Sequence, residues 1–286
     1  MRIKKYLALA MSCVLSISAF TACGDSGSGD KVTAKVIEID LTSEEYAFGV
    51  DKEQPELLEK VNEFIDEIKA DGTLDKICNN YFGDGTPVPV ESAKLDSSKD
   101  QLVVATNAAF EPFEYMMGES YVGIDMEIAA LLAEELGKEL VIQNMDFDAV
   151  CLSVGQQKCD IAMAGLTVKE DRKEYVNFSN PYYEASQRLV VPSNDTKFAD
   201  CKDAAAVEAI LNSFDASIKV GVQNGTTGQF YCQGDEDWGF AGYAFTTTNY
   251  KNGSLAVQDM LNGNIQYVII DSAPAKCITE AINKMR

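Results

Sequence analysis

The stretch CDIAMAGLTVKEDRKEYVNFSNPYY, residues 159–183, decides the fold of this chain. An apolar run at residues 161–164 leads into a small-residue turn at Gly165 and Thr167, and a charged segment with Arg172 follows. A short apolar strand that ends in such a turn is typical of α/β proteins, whose ligands bind outside the carboxyl ends of the strands. The apolar run in this stretch therefore predicts a strand of an α/β protein.

Outward from this stretch, short apolar runs alternate with amphipathic segments, which also predicts an α/β protein. Residues 56–69 place their apolar side chains on one face of a helix, and residues 124–136 and 278–285 do the same. The predicted strands are residues 34–40, 102–107, 140–143, 161–164, 189–192, 218–222 and 267–271.

One pattern occurs twice along the chain. Residues 147–163 and 254–271 each combine a helical segment, a polar turn and an apolar strand, and two lobes built from similar units would explain the repetition. Residues 83–100, GDGTPVPVESAKLDSSKD, contain Gly, Pro and Ser without an apolar period, and we expect a linker there.

The first 22 residues have the composition of a signal peptide. Three basic residues precede an apolar stretch at residues 6–20, which is shorter than the roughly 20 residues that a membrane span needs. Small residues precede Cys23, and a flexible tether covers residues 23–33. This arrangement resembles a lipoprotein signal in which Cys23 is acylated, and the alternative is an ordinary signal peptide with a chance cysteine.

Charge and composition exclude several classes of function. After residue 22 the chain has 21 basic and 45 acidic residues, a formal charge of −24, which argues against nucleic-acid binding or a basic membrane contact. The chain has no histidine, which excludes a Ser-His-Asp hydrolase, a histidine metal site and a histidine general base. We expect no metal, no other cofactor and a monomer.

Six cysteines follow Cys23, and their pairing is open from the sequence. No close Cys-x-x-Cys pair is present, so the spacing matches no zinc pattern. An extracytoplasmic location permits disulfides, and buried free thiols fit equally well. The six are Cys78, Cys151, Cys159, Cys201, Cys232 and Cys277.

Three blocks of sequence resemble the family-3 solute-binding proteins, the polar amino-acid receptors of ABC importers. They are TNAAFEPFEY with YVGIDMEIAALLAEELGKEL (106–115 and 121–140), the block 145–183, and VGVQNGTTGQFY with LAVQDMLNGNIQYVIIDSAPA (220–231 and 255–275). The resemblance implies a type II periplasmic-binding-protein fold, in which two α/β lobes are joined by two extended crossings.

The order of the segments differs from the family pattern. The family's closing strand and helices resemble LTSEEYAFGVDKEQPELLEKVNEFIDEIKADGTLDKICNNYFGDG, which here stands at residues 41–85. We therefore expect a circularly permuted chain, with the alternative of a fused or truncated gene whose front part packs elsewhere. Lobe 1 would be residues 44–186, including the linker 83–100, and lobe 2 would be residues 34–43 plus 187–286.

The resemblance assigns the parts of a free amino acid to residues of the cleft. Arg172 would hold the carboxylate through a bidentate guanidinium contact, and Asp271 would hold the ammonium, although Asp271 is also placed to cap a helix. Thr167 with Glu170 matches a helix capping box. Gly165 would let the ligand approach the backbone.

The remaining predicted contacts come from both lobes. The Gly-rich turn at residues 224–228, with Thr226 and Thr227, would offer amides to the carboxylate. Phe110 and Phe147 would sandwich the ligand side chain, and Asn107 and Gln223 would bind its polar end. Two amides favour a neutral polar ligand such as glutamine, while cystine or another small amino acid remains open.

The sequence thus predicts a lipid-anchored extracytoplasmic receptor, without enzymatic activity, that delivers an amino acid to an ABC importer permease. Two alternatives stay open: a ligand-sensing signalling module, and an enzyme similar to a cyclohexadienyl dehydratase on the same fold. An enzyme would need a proton donor, for which Glu111, Glu114 or Glu184 could serve.

Overall fold

A computed structural model describes residues 31–286, and two five-stranded sheets with the same arrangement organise them. In order, the first sheet contains β10 (Val176–Phe178), β3 (Gly49–Asp51), β9 (Ile161–Ala162), β4 (Gln101–Thr106) and β8 (Glu139–Asn144). The second contains β1 (Ala34–Val36), β12 (Gln187–Pro192), β15 (Tyr267–Asp271), β13 (Lys219–Gln223) and β14 (Thr246–Tyr250). We call the parts built on these sheets lobe 1 and lobe 2.

The two sheets repeat each other strand by strand. β9, β4 and β8 are parallel in one, as β15, β13 and β14 are in the other. β3 and β12 hold the equivalent antiparallel position, each between two neighbours. The repeated sequence pattern therefore corresponds to two strands, β9 and β15, in matching places.

Helices cover both faces of each sheet. Lobe 1 has α1 (Pro55–Ala70), α2 (Thr73–Phe82), α3 (Ile124–Glu135) and α4 (Val150–Gly155). Lobe 2 has α5 (Ala204–Leu211), α6 (Thr227–Gln233), α7 (Gly253–Leu261) and α8 (Ser272–Met285). Buried apolar clusters fill the space between helices and strands on each side.

Helix α1 shows how the sequence sets these boundaries. Pro55 stands at its first turn, where a missing N–H costs no helical hydrogen bond. Its apolar side chains lie on one buried face, as the periodicity predicts. Gly72, at a φ of 79°, then reverses the chain into α2, a conformation that favours glycine.

Two short strands connect the lobes. β2 (Glu44–Tyr46) and β11 (Tyr183–Ala185) lie side by side as an antiparallel pair. After β2 the chain enters lobe 1 at β3, and after β11 it enters lobe 2 at β12. We call these two connecting strands the hinge strands.

The segment 83–100 packs along lobe 1 without forming a helix. Val90 pairs with Tyr121 of β7 (Ser120–Val122), and the Ala93 amide donates to the Leu140 carbonyl at 2.9 Å. β7 completes a small sheet with β5 (Ala109–Phe110) and β6 (Glu114–Met117). The predicted linker is thus an ordered strap over this lobe.

Two further findings concern the sequence predictions. The predicted strand at 34–40 is a strand only over Ala34–Val36. The six cysteines after residue 31 are all free thiols. The signal peptide, Cys23 and most of the tether lie outside the described residues.

Candidate functional site

The predicted site residues lie where strands of both lobes end and face each other. Asn107 directly follows β4 of lobe 1, while Gln223 and Asp271 are the last residues of β13 and β15 in lobe 2. All three are buried. Carboxyl ends of parallel strands are the common location of ligand sites in α/β proteins.

Among the hydrogen bonds that cross from one lobe to the other, three involve predicted site residues or their neighbours as follows. The Gln223 Nε2 donates to Asn107 Oδ1 at 3.2 Å. The hydroxyl of Thr227 lies 3.2 Å from that of Thr167. Arg172 donates to the carbonyl of Gly225 at 3.0 Å. The two lobes are therefore closed on each other around these residues.

Arg172 is a buried guanidinium with no carboxylate partner among residues 31–286. It stands in a 3₁₀ turn, Asp171–Glu174, and is 9% exposed. Its second hydrogen bond goes to the Thr167 carbonyl at 2.6 Å, and its charge lies 5.3 Å from the centre of the Phe147 ring. Because a buried charge is costly unless paired, this position favours an anionic ligand group.

The predicted capping box at Thr167 and Glu170 is wrong. The turn that follows carries no side-chain cap. The Thr167 hydroxyl instead donates to Glu44 Oε2 of the hinge strand at 2.9 Å. Thr167 thus links Arg172, through its carbonyl, to Glu44, through its hydroxyl.

Asp271 also does not cap the helix that follows it, since α8 begins without a side-chain cap. Its carboxylate instead accepts a hydrogen bond from the hydroxyl of Tyr46 on the hinge strand. Burial, together with the nearby Glu44 carboxylate, raises the pKa of Asp271 to about 7. An acidic group in this state favours a cationic partner.

The two aromatic residues predicted to sandwich the ligand, Phe110 and Phe147, pack against different neighbours. A Cβ on Gly165 would lie 2.9 Å from the Phe110 ring, and the φ of Gly165 is 52°, so glycine is required there. Phe110 stacks on Phe113. Phe147 packs on Arg172. Among the described residues, no ring contact joins Phe110 to Phe147.

The Gly-rich turn already uses two of its amides within the protein. The Asn224 amide donates to the Tyr250 carbonyl at 2.8 Å, and the Gly225 amide donates to Gln229 Oε1 at 2.7 Å. The Thr226 hydroxyl donates to the Gln223 carbonyl at 2.8 Å. The turn is thereby held in place before α6.

Two cavities border this interlobe region. One, of about 240 Å³, is lined by Phe147, Arg172 and Gly225 among others. The other, of about 600 Å³, lies on the hinge side and is lined by Glu44 and Thr167 together with residues of the loop before β14. Thr167 and Glu44 therefore connect the site to the larger cavity.

Sequence reasoning missed the buried acids Glu44 and Asp125, and it named Glu114 only as a proton donor for the enzymatic alternative. Glu44, Glu114 and Asp125 are all buried. Asp125 accepts from the Gly165 amide at 2.9 Å and from the Tyr182 hydroxyl, and burial raises its pKa to about 7. Burial next to other acids raises the pKa of Glu114 well above its usual range. The sequence alone does not show which of the neighbours Glu44 and Glu45 is buried. The structure of β2 shows that Glu44 is buried and Glu45 is exposed.

Within residues 31–286, no group of acidic or cysteine side chains is arranged to hold a metal ion. In the same part of the chain, no helix has both the length and the apolar character of a membrane span.

Comparison with known proteins identifies the class. The chain matches the bacterial extracellular solute-binding proteins, family 3, over residues 6–84 and 102–273. It is 35% identical over 108 residues to the arginine-binding extracellular protein ArtP of Bacillus subtilis (strain 168), which covers 38% of this chain and 42% of that protein. The first curated relatives are matched over 42–65% of their own length.

Solved structures agree with the fold. An ancestral arginine-binding protein bound to glutamine matches at a TM-score of 0.52 and 30% identity, over 64% of this chain and 74% of that one. An ancestral amino-acid-binding protein, described as a precursor of cyclohexadienyl dehydratase, matches at 0.54 and 27%, over 64% and 75%.

The fold is therefore the two-lobed type II periplasmic-binding-protein fold. The chain belongs to the bacterial extracellular solute-binding proteins, family 3.

Proposed function

We propose that this protein is an extracytoplasmic receptor that captures a free amino acid between its lobes and delivers it to an ABC importer. One observation carries the proposal: the buried guanidinium of Arg172 in lobe 1 bonds to lobe 2, and the buried carboxylate of Asp271 in lobe 2 bonds to the strand that connects the lobes. These are the two charges that an amino-acid zwitterion requires. Several relatives and solved structures are named as arginine-binding or amino-acid-binding proteins, which supports an amino-acid receptor.

For the ligand side chain we propose a neutral polar group, as in glutamine. The Asn107 amide donates to the Met145 carbonyl at 2.7 Å and accepts from Gln223. The Gln223 Oε1 is buried and has no hydrogen-bond partner within residues 31–286. A ligand amide would supply the missing donor without adding charge.

We also propose that Cys23 carries a lipid anchor and that the protein acts at the outer face of the membrane, as the sequence resemblance implies. Metabolic labelling with a palmitate analogue tests the anchor, because Cys23→Ser should abolish the label and release the protein into the medium. Labelling that persists in this variant would contradict it.

The permuted order is part of the proposal. Asn283, close to the end of α8, makes two hydrogen bonds to the backbone of Ala34, at 2.8 and 2.9 Å. The last helix thus lies against the first strand, and a short connection could join them. A gene in which residues 34–85 follow residue 286 should encode a folded protein with the same ligand. Failure of that protein to fold would contradict the permutation.

A thermal-shift screen tests the function. Soluble protein spanning residues 24–286 is heated with each L-amino acid, cystine, prephenate and arogenate. A ligand that binds only the folded protein raises its melting temperature by mass action, and we expect the largest shift with L-glutamine. A shift with L-arginine alone would overturn the side-chain assignment, and no shift with any amino acid would overturn the function.

The same screen decides the enzymatic alternative. Two observations favour a test of this alternative. The chain is similar to a precursor of cyclohexadienyl dehydratase, and burial favours the protonated state of Glu114. Consumption of prephenate or arogenate, followed by absorbance of the aromatic product, would identify a dehydratase. We expect no turnover.

A further inference from the structure

Glu44 is a buried acid on the hinge strand whose partners are all neutral. Its carboxylate is held by the Thr42 hydroxyl at 2.6 Å, the Thr167 hydroxyl at 2.9 Å and the Gln187 Nε2 at 3.1 Å. The residue is 6% exposed. No ion pair involves it among residues 31–286, although buried carboxylates are normally paired with a cation.

A second buried carboxylate, Asp271, belongs to the same network. Gln187 lies opposite Asp271 in the pairing of β12 with β15, and its side chain donates to Glu44. Tyr46, two residues from Glu44, donates to Asp271. Gln187 and Tyr46 thus bring the two acids into one network. Glu44 is also one electrostatic cause of the raised pKa of Asp271.

A third acceptor stands beside the pair. Among the described residues, the Gln187 Oε1 is buried without a hydrogen-bond partner. The Nε2 of the same side-chain amide donates a hydrogen bond to Glu44. A primary ammonium has three N–H donors. Glu44, Asp271 and Gln187 together offer one acceptor for each of them.

We propose that Glu44 is a second ammonium-binding residue, so that the ligand's amine is held by two carboxylates and not by Asp271 alone. The inference rests on the proposed amino-acid binding and deepens it. Glu44 and Thr167 border the hinge-side cavity of about 600 Å³, through which a ligand reaches them. The arrangement selects compounds that carry a charged α-amine and rejects the corresponding acids without it.

Ligand pairs that differ only in the amine test this role. Calorimetry compares L-glutamine with glutaramate and L-arginine with 5-guanidinopentanoate, for the wild type and for Glu44→Gln. We expect the wild type to prefer the amino acid by about a hundredfold, and Glu44→Gln to reduce that preference about tenfold. The affinity for the compound without the amine should change little.

Glu45→Gln is the matched control, because it removes the same charge from the exposed neighbour on the same strand. Its preference should stay within about twofold of the wild type. Glu44→Asp keeps the charge and should recover part of the preference, which also guards against a folding defect in Glu44→Gln.

Three outcomes are decisive. A reduced preference in Glu44→Gln, with partial recovery in Glu44→Asp, supports the inference. An unchanged preference, or an equal loss for both compounds of a pair, overturns it and leaves the amino-acid receptor intact. A wild-type protein that binds neither amino acid overturns the proposed function itself.

Discussion

Arg172 of lobe 1 donates a hydrogen bond to the Gly225 carbonyl of lobe 2 at 3.0 Å. The guanidinium that is proposed to hold the ligand carboxylate is therefore also a contact that closes the cleft. A ligand carboxylate that binds Arg172 would be in contact with both lobes. In the proposed site, this side chain would couple ligand capture to closure of the lobes.

The amide of Asn107 sets the charge preference in the proposed site. Asn107→Asp places a negative charge beside Gln223, which should favour cationic side chains over neutral ones. We expect the affinity for L-arginine relative to L-glutamine to rise about tenfold. Competition calorimetry measures this ratio. Asn262→Asp, at the exposed end of α7, adds the same charge and should leave the ratio unchanged. An unchanged ratio in Asn107→Asp would remove this residue from the side-chain site.

Ligand binding should depend on pH through Asp271. Its pKa is raised to about 7 by burial and by Glu44, whereas the pKa of an unfolded aspartate is about 4. The free folded protein therefore holds an extra proton between these values. Binding of this proton adds to the free energy of unfolding. This stabilisation is fully present below pH about 4 and is lost as the pH rises through about 7.

The affinity for an ammonium should change in the opposite direction, because only the ionised carboxylate binds it. We expect affinity to rise about tenfold per pH unit below pH about 7 and to level off above it. Asp125, whose pKa is also about 7, bonds to Gly165 and Tyr182. The comparison with Asp271→Asn isolates Asp271, since this variant should bind weakly without that rise. Affinity that is flat with pH in the wild type would contradict the assignment.

Two ion pairs between the lobes differ in burial and should differ in effect. Lys169 is buried between Asp171 at 2.9 Å and Asp235 of lobe 2 at 3.0 Å, and it lies 4.6 Å from the Phe230 ring centre. Lys251 and Asp146 are 3.1 Å apart but mostly exposed. Removing one partner of a buried pair leaves an uncompensated charge, while an exposed pair contributes little.

Lys169→Met should therefore weaken ligand binding about tenfold, and Lys251→Met by less than about twofold. Calorimetry measures both. Fluorescence of Trp238, the only tryptophan, reports on the loop that carries Asp235. Equal effects of the two variants would show that burial of the Lys169 pair does not control closure.

The sequence predicted the fold, while Arg172 and Asp271 remain predicted site residues and the buried acids Glu44 and Asp125 were missed. The family resemblance suggested Arg172 and Asp271, since an arginine in a charged segment or an aspartate at the end of a strand indicates no ligand site by itself. Glu44 comes from a segment more than 120 residues from Thr167 in the chain, and only folding brings them to 2.9 Å. The same contact explains the wrong capping box, because the Thr167 hydroxyl donates to the Glu44 carboxylate and does not accept from a helix amide N–H.

The central claim is the carboxylate clamp at Arg172, and calorimetry of Arg172→Met with L-glutamine tests it directly. Lys173→Met is the control, since this exposed neighbour forms an ion pair with Glu170. We expect Arg172→Met to lose about a hundredfold or more in affinity, with little change in the melting temperature of the free protein, and the control to match the wild type. Binding by Arg172→Met that stays within about threefold of the wild type would contradict the clamp.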